Sequence, residues 1–439
     1  MIKAKTLKQL LLENPEIDNG IFYYKESQMS FVSYGDFWHM VEEYPLKDAS
    51  SVGIFCDSSI DTLVAIFAYI SNKTQVVLLD PSQDEEILKK QVLATDVDYL
   101  IGGEEFDLPL NPANKGEKGN ILFFTSGTTS SSKAVVLSEE SLCASAYNGA
   151  SLLPLSKEDT LLSVLPLSHV FGFICSLLWG IECGSRIALC RERRRFFGDF
   201  SFFHPTVVSL LPQMAELLSS RNLFNSELKK VLIGAGDCQS YVLENIISKG
   251  IDVHFGYGLT ETSSGIAVSL GDDPNLMRLV PEAKIKIADD GEILLDAPSL
   301  LMKGFYKDEE KTSSVMEGNY FHTGDLGILN ENGDLKIIGR KKEIYVLNDG
   351  TKIFLPEFEW KLRDLLGTDL ALLQNESGHL TLVLEHNVDS IYEKLNAFND
   401  KQPRSCRLDS VSVLNRPLPR TATGKIKRYA IDISKSSKN

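Results

Sequence analysis

Short apolar runs alternate with longer amphipathic stretches through the first three quarters of the chain. Residues 51–56 (SVGIFC), 75–79 (QVVLL), 99–101 (YLI), 121–124 (ILFF), 207–210 (VVSL) and 231–233 (VLI) read as buried strands. Between them, 60–71 and 84–95 carry apolar residues at helical period. This alternation predicts layered α/β architecture with a largely parallel sheet. After Ala283 the pattern shortens, and KIKIADDGEILL (284–295) holds an Asp-Gly pair between alternating residues, a hairpin signal. From about Lys341 a new unit begins, with helices predicted near 356–366 and 391–399 and strands between them. The longest apolar stretch, 171–181, is too short for the ~20 residues of a membrane span and reads as a buried helix.

Between the strands at 121–124 and 134–137 lies TSGTTSSSK (125–133), almost all hydroxyls with one glycine and a closing lysine. A polar loop pinned between apolar strands is placed to grip something. Small residues let backbone N–H groups converge, hydroxyls add donors, and Lys133 supplies a point charge, a set suited to polyphosphate or to a structural Ser/Thr turn. Ser138 then reads as the N-cap of a helix opening on Glu139 and Glu140. The loop is not a Walker A motif, because five places after Gly127 stands Ser132 and Lys133 is followed by Ala134. No dinucleotide fingerprint occurs either: Gln239 and Glu261 stand where the third glycines would follow Gly234–Gly236 and Gly256–Gly258.

Composition narrows the class without naming it. With 43% hydrophobic and 24% charged residues the chain can bury large cores, and its 439 residues allow two to four domains. A net charge of −15 disfavours nonspecific binding to nucleic acid or anionic lipid. The basic run 191–195 reads as a solvated turn or as a docking spot for an anionic partner. Seven scattered cysteines without a C-x-x-C pair are expected to be free thiols, and with no signal-like N-terminus the expected location is cytoplasmic.

The loop resembles the phosphate loop of the adenylate-forming (acyl-CoA synthetase, AMP-binding) superfamily, usually TSGTTG-x-PKG. Ser130, Ser132 and Ala134 depart from that pattern. Further segments resemble the family's motifs in order: LPLSHVFGF (165–173), GYGLTETS (256–263), GEILLDAPSLLMKGFY (291–306), YFHTGDLG (320–327), GRKKEI (339–344) and LPRTATGKIKR (418–428). Together they cover 51–429. The resemblance implies a large N-terminal domain of layered sheets and helices with a small β-rich subdomain (1–340). A small mobile α+β domain (341–439) would follow.

It also implies ATP-dependent conversion of a carboxylic acid to acyl-AMP, then transfer to the pantetheine thiol of coenzyme A or of an acyl carrier protein. By resemblance, Thr125, Ser126, Gly127, Thr128, Thr129 and Lys133 cradle the phosphates. Thr260 meets the α-phosphate and Glu261 holds Mg²⁺. Gly234, Ala235 and Gly236 let backbone approach adenine, Tyr257 with Gly258 stacks on it, and Asp325 and Arg340 take the ribose. His169, Phe171 and Gly172 flank the acid pocket, Lys342 stands at the hinge, and Lys425 is the mobile catalytic lysine.

The stretch 169–178 (HVFGFICSLL) lacks the aspartate that amino-acid-activating members usually carry, so an amino acid is disfavoured. VLNDGTKIFLPEFE (346–359) resembles bacterial fatty-acid ligases and tilts the expectation towards a fatty or other apolar acyl group. A carrier-protein loader and a non-catalytic nucleotide-binding relative remain as alternatives.

Overall fold

A computed structural model describes residues 3–12, 19–25, 28–103, 106–110, 115–125, 133–191, 195–236, 238–271, 273–347, 352–374, 379–420, 426–433 and 437–438. Two sheets organise the first three quarters. The smaller has the order Gly304–Phe305, Ala134–Leu137, Ile121–Phe124, Gln75–Leu79, Ser51–Phe55, Tyr99–Ile101, parallel from the third strand onward. The larger is parallel through Asp252–Leu259, Lys230–Gly234, Val207–Leu210, Thr160–Ser163, Arg186–Leu189 and Gly20–Lys25.

Strand periodicity explains the layering. Because side chains alternate across a strand, one strand feeds two cores. Ile121 and Phe123 enter one cluster and Leu122 and Phe124 another; Leu161 and Leu162, and Val207 and Val208, divide in the same way. The shared cluster lies between the sheets and is filled by the helices Tyr34–Glu42, Ile60–Ser71 and Glu139–Leu152. Helices Phe196–Phe203, Pro212–Ser220 and Ser240–Ser248 cover the outer face of the larger sheet. Helix Glu85–Ala94 covers the outer face of the smaller one.

The six strands anticipated from apolar runs form, within a residue at each end. The parallel expectation holds only for the centre. Beyond Asp252–Leu259 the larger sheet continues antiparallel through Ser264–Ser269, Leu276–Leu279, Leu335–Arg340, Tyr320–Leu329, Glu292–Asp296 and Lys284–Ile287. The Asp-Gly hairpin closes as expected, with Lys284 opposite Asp296. At its other end the sheet adds the hairpin Gly20–Lys25/Gln28–Ser33, which carries no strong turn signal and escaped the sequence pattern. The apolar stretch near 171–181 is not one helix: Val170–Phe173 and Trp179–Glu182 are α-helical and Ile174–Leu178 is a π-turn, a distortion common at functional sites.

Residues after Lys341 build a separate core from Leu370–Gln374, Leu380–Leu384 and Leu408–Val413 under helices Leu355–Leu366 and Ile391–Asn399. Both predicted helices are present. Among the described residues no helix is long and apolar enough to cross a membrane.

The basic run resolves partly. Arg191 is locked, its Nε donating to the buried Asp199 at 2.8 Å and its guanidinium lying 4.1 Å from the Tyr24 ring centroid. Residues 192–194 lie outside the described set.

One buried acid makes stability depend on pH. Burial pushes the Glu182 carboxyl up from 4.5 to about 7. A raised folded pKa favours the fold below pH 4.5, and that advantage is lost as pH climbs to 7. Glu182→Gln should therefore gain roughly 2–3 kcal/mol over the parent at pH 8 and little at pH 5, read from urea unfolding at both pH values.

Candidate active site

A cavity of about 810 Å³ opens where the C-terminal ends of the parallel strands meet the antiparallel half of the sheet and the turn Lys341–Glu343. Ligands in open α/β sheets bind at such strand ends.

The polar end begins at the loop. Phe124 pairs with Ala134 across the antiparallel strands, and Thr125 N–H donates to the Lys133 carbonyl at 3.0 Å, so the loop's two feet are pinned together. Thr125 and Lys133 both line the cavity. Ser126, Gly127, Thr128 and Thr129 lie outside the described residues. The Lys133 ammonium sits 5.1 Å from the Phe305 ring centroid; burial and then the Lys311 and Lys342 charges lower its pKa. A lysine among cations, only partly relieved by Glu261 and Asp308, is set to receive an anion.

Opposite, strand Asp252–Leu259 runs into the tight turn Thr260–Thr262. Tyr257, Gly258, Thr260 and Glu261 all face the cavity. Burial raises the Glu261 carboxyl pKa, while the Arg340 and Lys133 charges pull it back. Among the described residues no cluster of three metal-ligating side chains exists. Mg²⁺ needs none, since it takes one or two protein carboxylates plus phosphate and water oxygens. A half-buried carboxyl near two cations and open to the cavity fits that demand.

Gly234 and Ala235 line the cavity where Gly234 pairs with Gly256, and Ala235 adopts φ 67°. A Cβ on Gly234 would approach the Phe171 ring to 2.6 Å, so glycine is required for that contact. Gly236 is not among the lining residues and lies beside Pro212 instead. Gly172 is likewise not a wall: its position is packed on the Pro166 carbonyl, which a Cβ would meet at 2.2 Å. Phe171 does line the cavity.

Asp325 is 3% exposed and does not line the cavity. It receives the Arg340 guanidinium at 2.7 Å and the Tyr257 hydroxyl at 2.7 Å. Burial, reinforced by Asp325, drives the Tyr257 hydroxyl pKa well up and keeps it a donor. The three residues expected around a nucleoside are thus one bonded unit, with Tyr257 and Arg340 at the cavity surface.

His169 lines the cavity, and its Nε2 lies 3.6 Å from Oδ2 of Asp80, an ion-pair distance rather than a hydrogen bond. Burial works against the Asp80 charge, but His169 and Ser82 outweigh it and hold the carboxyl below its ordinary range. His169 is therefore both a wall residue and a side chain anchored to the smaller sheet.

Sequence reasoning missed Glu292. Its carboxylate accepts from Gly324 N–H and Lys341 Nζ, each at 2.9 Å, and lies 3.2 Å from His322 Nδ1. It ties the His-Thr-Gly-Asp segment of strand Tyr320–Leu329 to the Lys341–Glu343 turn. Its only signal was a charged residue directly ahead of the apolar run ILL in the strand EILLD. Lys342 also lines the cavity.

Lys425 lies outside the described residues; Arg420 and Ile426, before and after 421–425, form a bridge, and Lys427 N–H donates to the Pro419 carbonyl at 2.7 Å. Arg428 pairs with Glu359 at 2.6 Å and with Glu343, in the Lys341–Glu343 turn, at 3.3 Å.

Residues 105–306 match the AMP-binding enzyme family. A 2-succinylbenzoate–CoA ligase of Oceanobacillus iheyensis is 27% identical over 460 residues, covering 91% of this chain and 94% of that protein. One from Bacillus cereus strain Q1 is 27% identical over 358 residues, covering 72% and 73%. Among solved structures, the O-succinylbenzoate coenzyme A synthetase of Bacillus subtilis in complex with AMP superposes with a TM-score of 0.81 at 21% identity, covering 97% of each chain. The ATP-bound MatB of Rhodopseudomonas palustris gives 0.81 at 16% identity, again covering 97% of each. The chain thus has the adenylate-forming fold.

Proposed function

We propose that this chain is an AMP-binding enzyme, an acid–thiol ligase that forms acyl-AMP and passes the acyl group to coenzyme A. One observation carries the reading: a single cavity joins a polar end, holding Lys133, Thr260, Glu261 and Arg340, to an apolar end. In the first half-reaction a carboxylate oxygen attacks the α-phosphorus of ATP. The bond from that phosphorus to the bridging oxygen breaks and pyrophosphate leaves. In the second, a thiol sulfur, its proton given up, attacks the acyl carbon and AMP departs with the C–O electron pair.

This chain's residues serve the first step by charge and position. Lys133 draws the leaving phosphates, Thr260 donates to the α-phosphate, Tyr257 stacks on adenine and the Arg340–Asp325 unit holds the ribose. Glu261 would hold Mg²⁺, which supplies charge neutralisation on the phosphate oxygens. Residues 341–439 are proposed as the unit that turns between the half-reactions, with Lys342 as hinge and Lys425 as the lysine it carries.

The relatives are named for coenzyme A, which supports that acceptor over a carrier protein. The expectation of a fatty acid rested on 346–359, and no described residue of that segment lines the cavity. The acid proposed instead is a ring-bearing carboxylate, with 2-succinylbenzoate, the acid in the relatives' names, the first to test. Hydroxylamine trapping of acyl-AMP over aromatic, aliphatic and dicarboxylic acids, then coenzyme A transfer, tests it. No hydroxamate from any acid would sink the enzymatic reading.

Asp325→Asn keeps shape but removes the charge shared by Arg340 and Tyr257. AMP affinity should fall at least about tenfold, or ~1.4 kcal/mol, by calorimetry. An unchanged affinity would remove Arg340–Asp325 from the nucleotide site.

A further inference from the structure

The apolar end of the cavity has an opening with no packing explanation. Ser145, Gly149 and Leu153 line it from helix Glu139–Leu152 and its C-cap. Spaced four apart, they form one stripe along a single helix face, about 12 Å long at 1.5 Å per residue. Gly149 sits within the helix, where glycine is costly relative to alanine. Nothing in the fold demands it, for a Cβ built there meets no atom within 4 Å. Gly265, on the strand Ser264–Ser269, lines the same cavity and is equally open.

The facing wall is Ile174, Cys175 and Trp179, from the π-turn and the helix after it. Trp179 Nε1 donates to the Leu153 carbonyl at 2.9 Å, joining the two walls and using the indole's only donor. Burial pushes the Cys175 thiol up to about 11, so it stays protonated beside Ser264 Oγ at 3.5 Å. Apart from His169, whose Nε2 lies 3.6 Å from Oδ2 of Asp80, the described side chains facing this end are apolar or carry a hydroxyl or thiol. The charged lining residues, Lys133, Glu261, Glu292 and Arg340 among them, belong to the segments of the polar end.

We propose that Gly149 determines the acid specificity of this site, opening a neutral bay that takes a ring-sized, uncharged acyl body. This rests on the ligase reading above and sharpens it: a second carboxylate on the ring would enter surroundings of neutral groups, where burying a charge without a partner is strongly unfavourable. The acid this chain prefers is then a relative of 2-succinylbenzoate lacking the ring carboxylate.

The test compares wild type, Gly149→Ala and Gly149→Leu with 3-benzoylpropionate and 2-succinylbenzoate, which differ only by that carboxylate. Pyrophosphate release should show wild-type kcat/KM at least tenfold higher for 3-benzoylpropionate. Gly149→Leu should lose at least tenfold on that acid while AMP affinity stays within twofold. Gly149→Ala should raise the melting temperature with a smaller loss. Preference for 2-succinylbenzoate, or a Leu variant with an unchanged acid profile, would overturn the proposal. Calorimetric binding of 3-benzoylpropionate separates the two readings. If no acid releases pyrophosphate, the ligase reading fails, yet binding by wild type and not by Gly149→Leu still upholds the bay. No binding by wild type overturns it.

Discussion

Glu261→Gln is expected to slow acyl-AMP formation by at least about 10². The substitution keeps size and removes the one carboxylate that the Thr260–Thr262 turn presents to the cavity. That carboxylate is half-buried, with Arg340 and Lys133 favouring its charged form. Removing it takes a negative charge from beside Lys133 and Arg340, although Arg340 keeps Asp325, and would leave Mg²⁺ without its protein oxygen, so the loss is expected in the step in which charge builds at phosphorus. AMP binding measured without Mg²⁺ should change little, and added Mg²⁺ should restore only part of the rate. A near-native rate with unchanged Mg²⁺ dependence would remove Glu261 from the reaction.

Lys425→Ala should also cost at least about 10² in acyl-AMP formation, because an ammonium at the α-phosphate acts as a preorganised donor where charge develops. It should leave thioester formation from supplied acyl-AMP within a few-fold of normal. Nearby, Arg420 bridges to Ile426 and Arg428 pairs with Glu343 in a turn that borders the cavity. Lys342→Pro should show the reverse profile, since proline fixes φ where the chain must turn. Adenylation would persist and thiol transfer would fail. Pyrophosphate release and thioester yield from preformed acyl-AMP follow the two steps separately. Equal damage to both by Lys425→Ala would rule out a rotating unit.

Local chemistry was legible in the chain itself. Continuous apolar runs specified the parallel strands, because a strand buried on both faces is apolar at nearly every position. Asp-Gly specified the 284–296 hairpin, Ser138 the helix start, and the ordered motifs marked Thr125, Lys133, Tyr257, Thr260, Glu261 and Arg340, all of which reach one cavity. These depend on residues near in sequence, whose geometry short-range sterics and capping dictate.

What only the tertiary structure decided is where distant groups meet. Asp325 turned out to be held by Arg340 and Tyr257, 68 residues before it, rather than open to the cavity. Gly172 serves packing and Gly236 lies off the cavity, while Gly149, unremarkable in the sequence, is open to the acid end. Glu292 became the hub between the strand Tyr320–Leu329 and the Lys341–Glu343 turn, and His169 gained Asp80 from the other sheet. A motif specifies a turn, but the partner of a buried charge is chosen by sheet order and register, which join segments that the sequence keeps far apart.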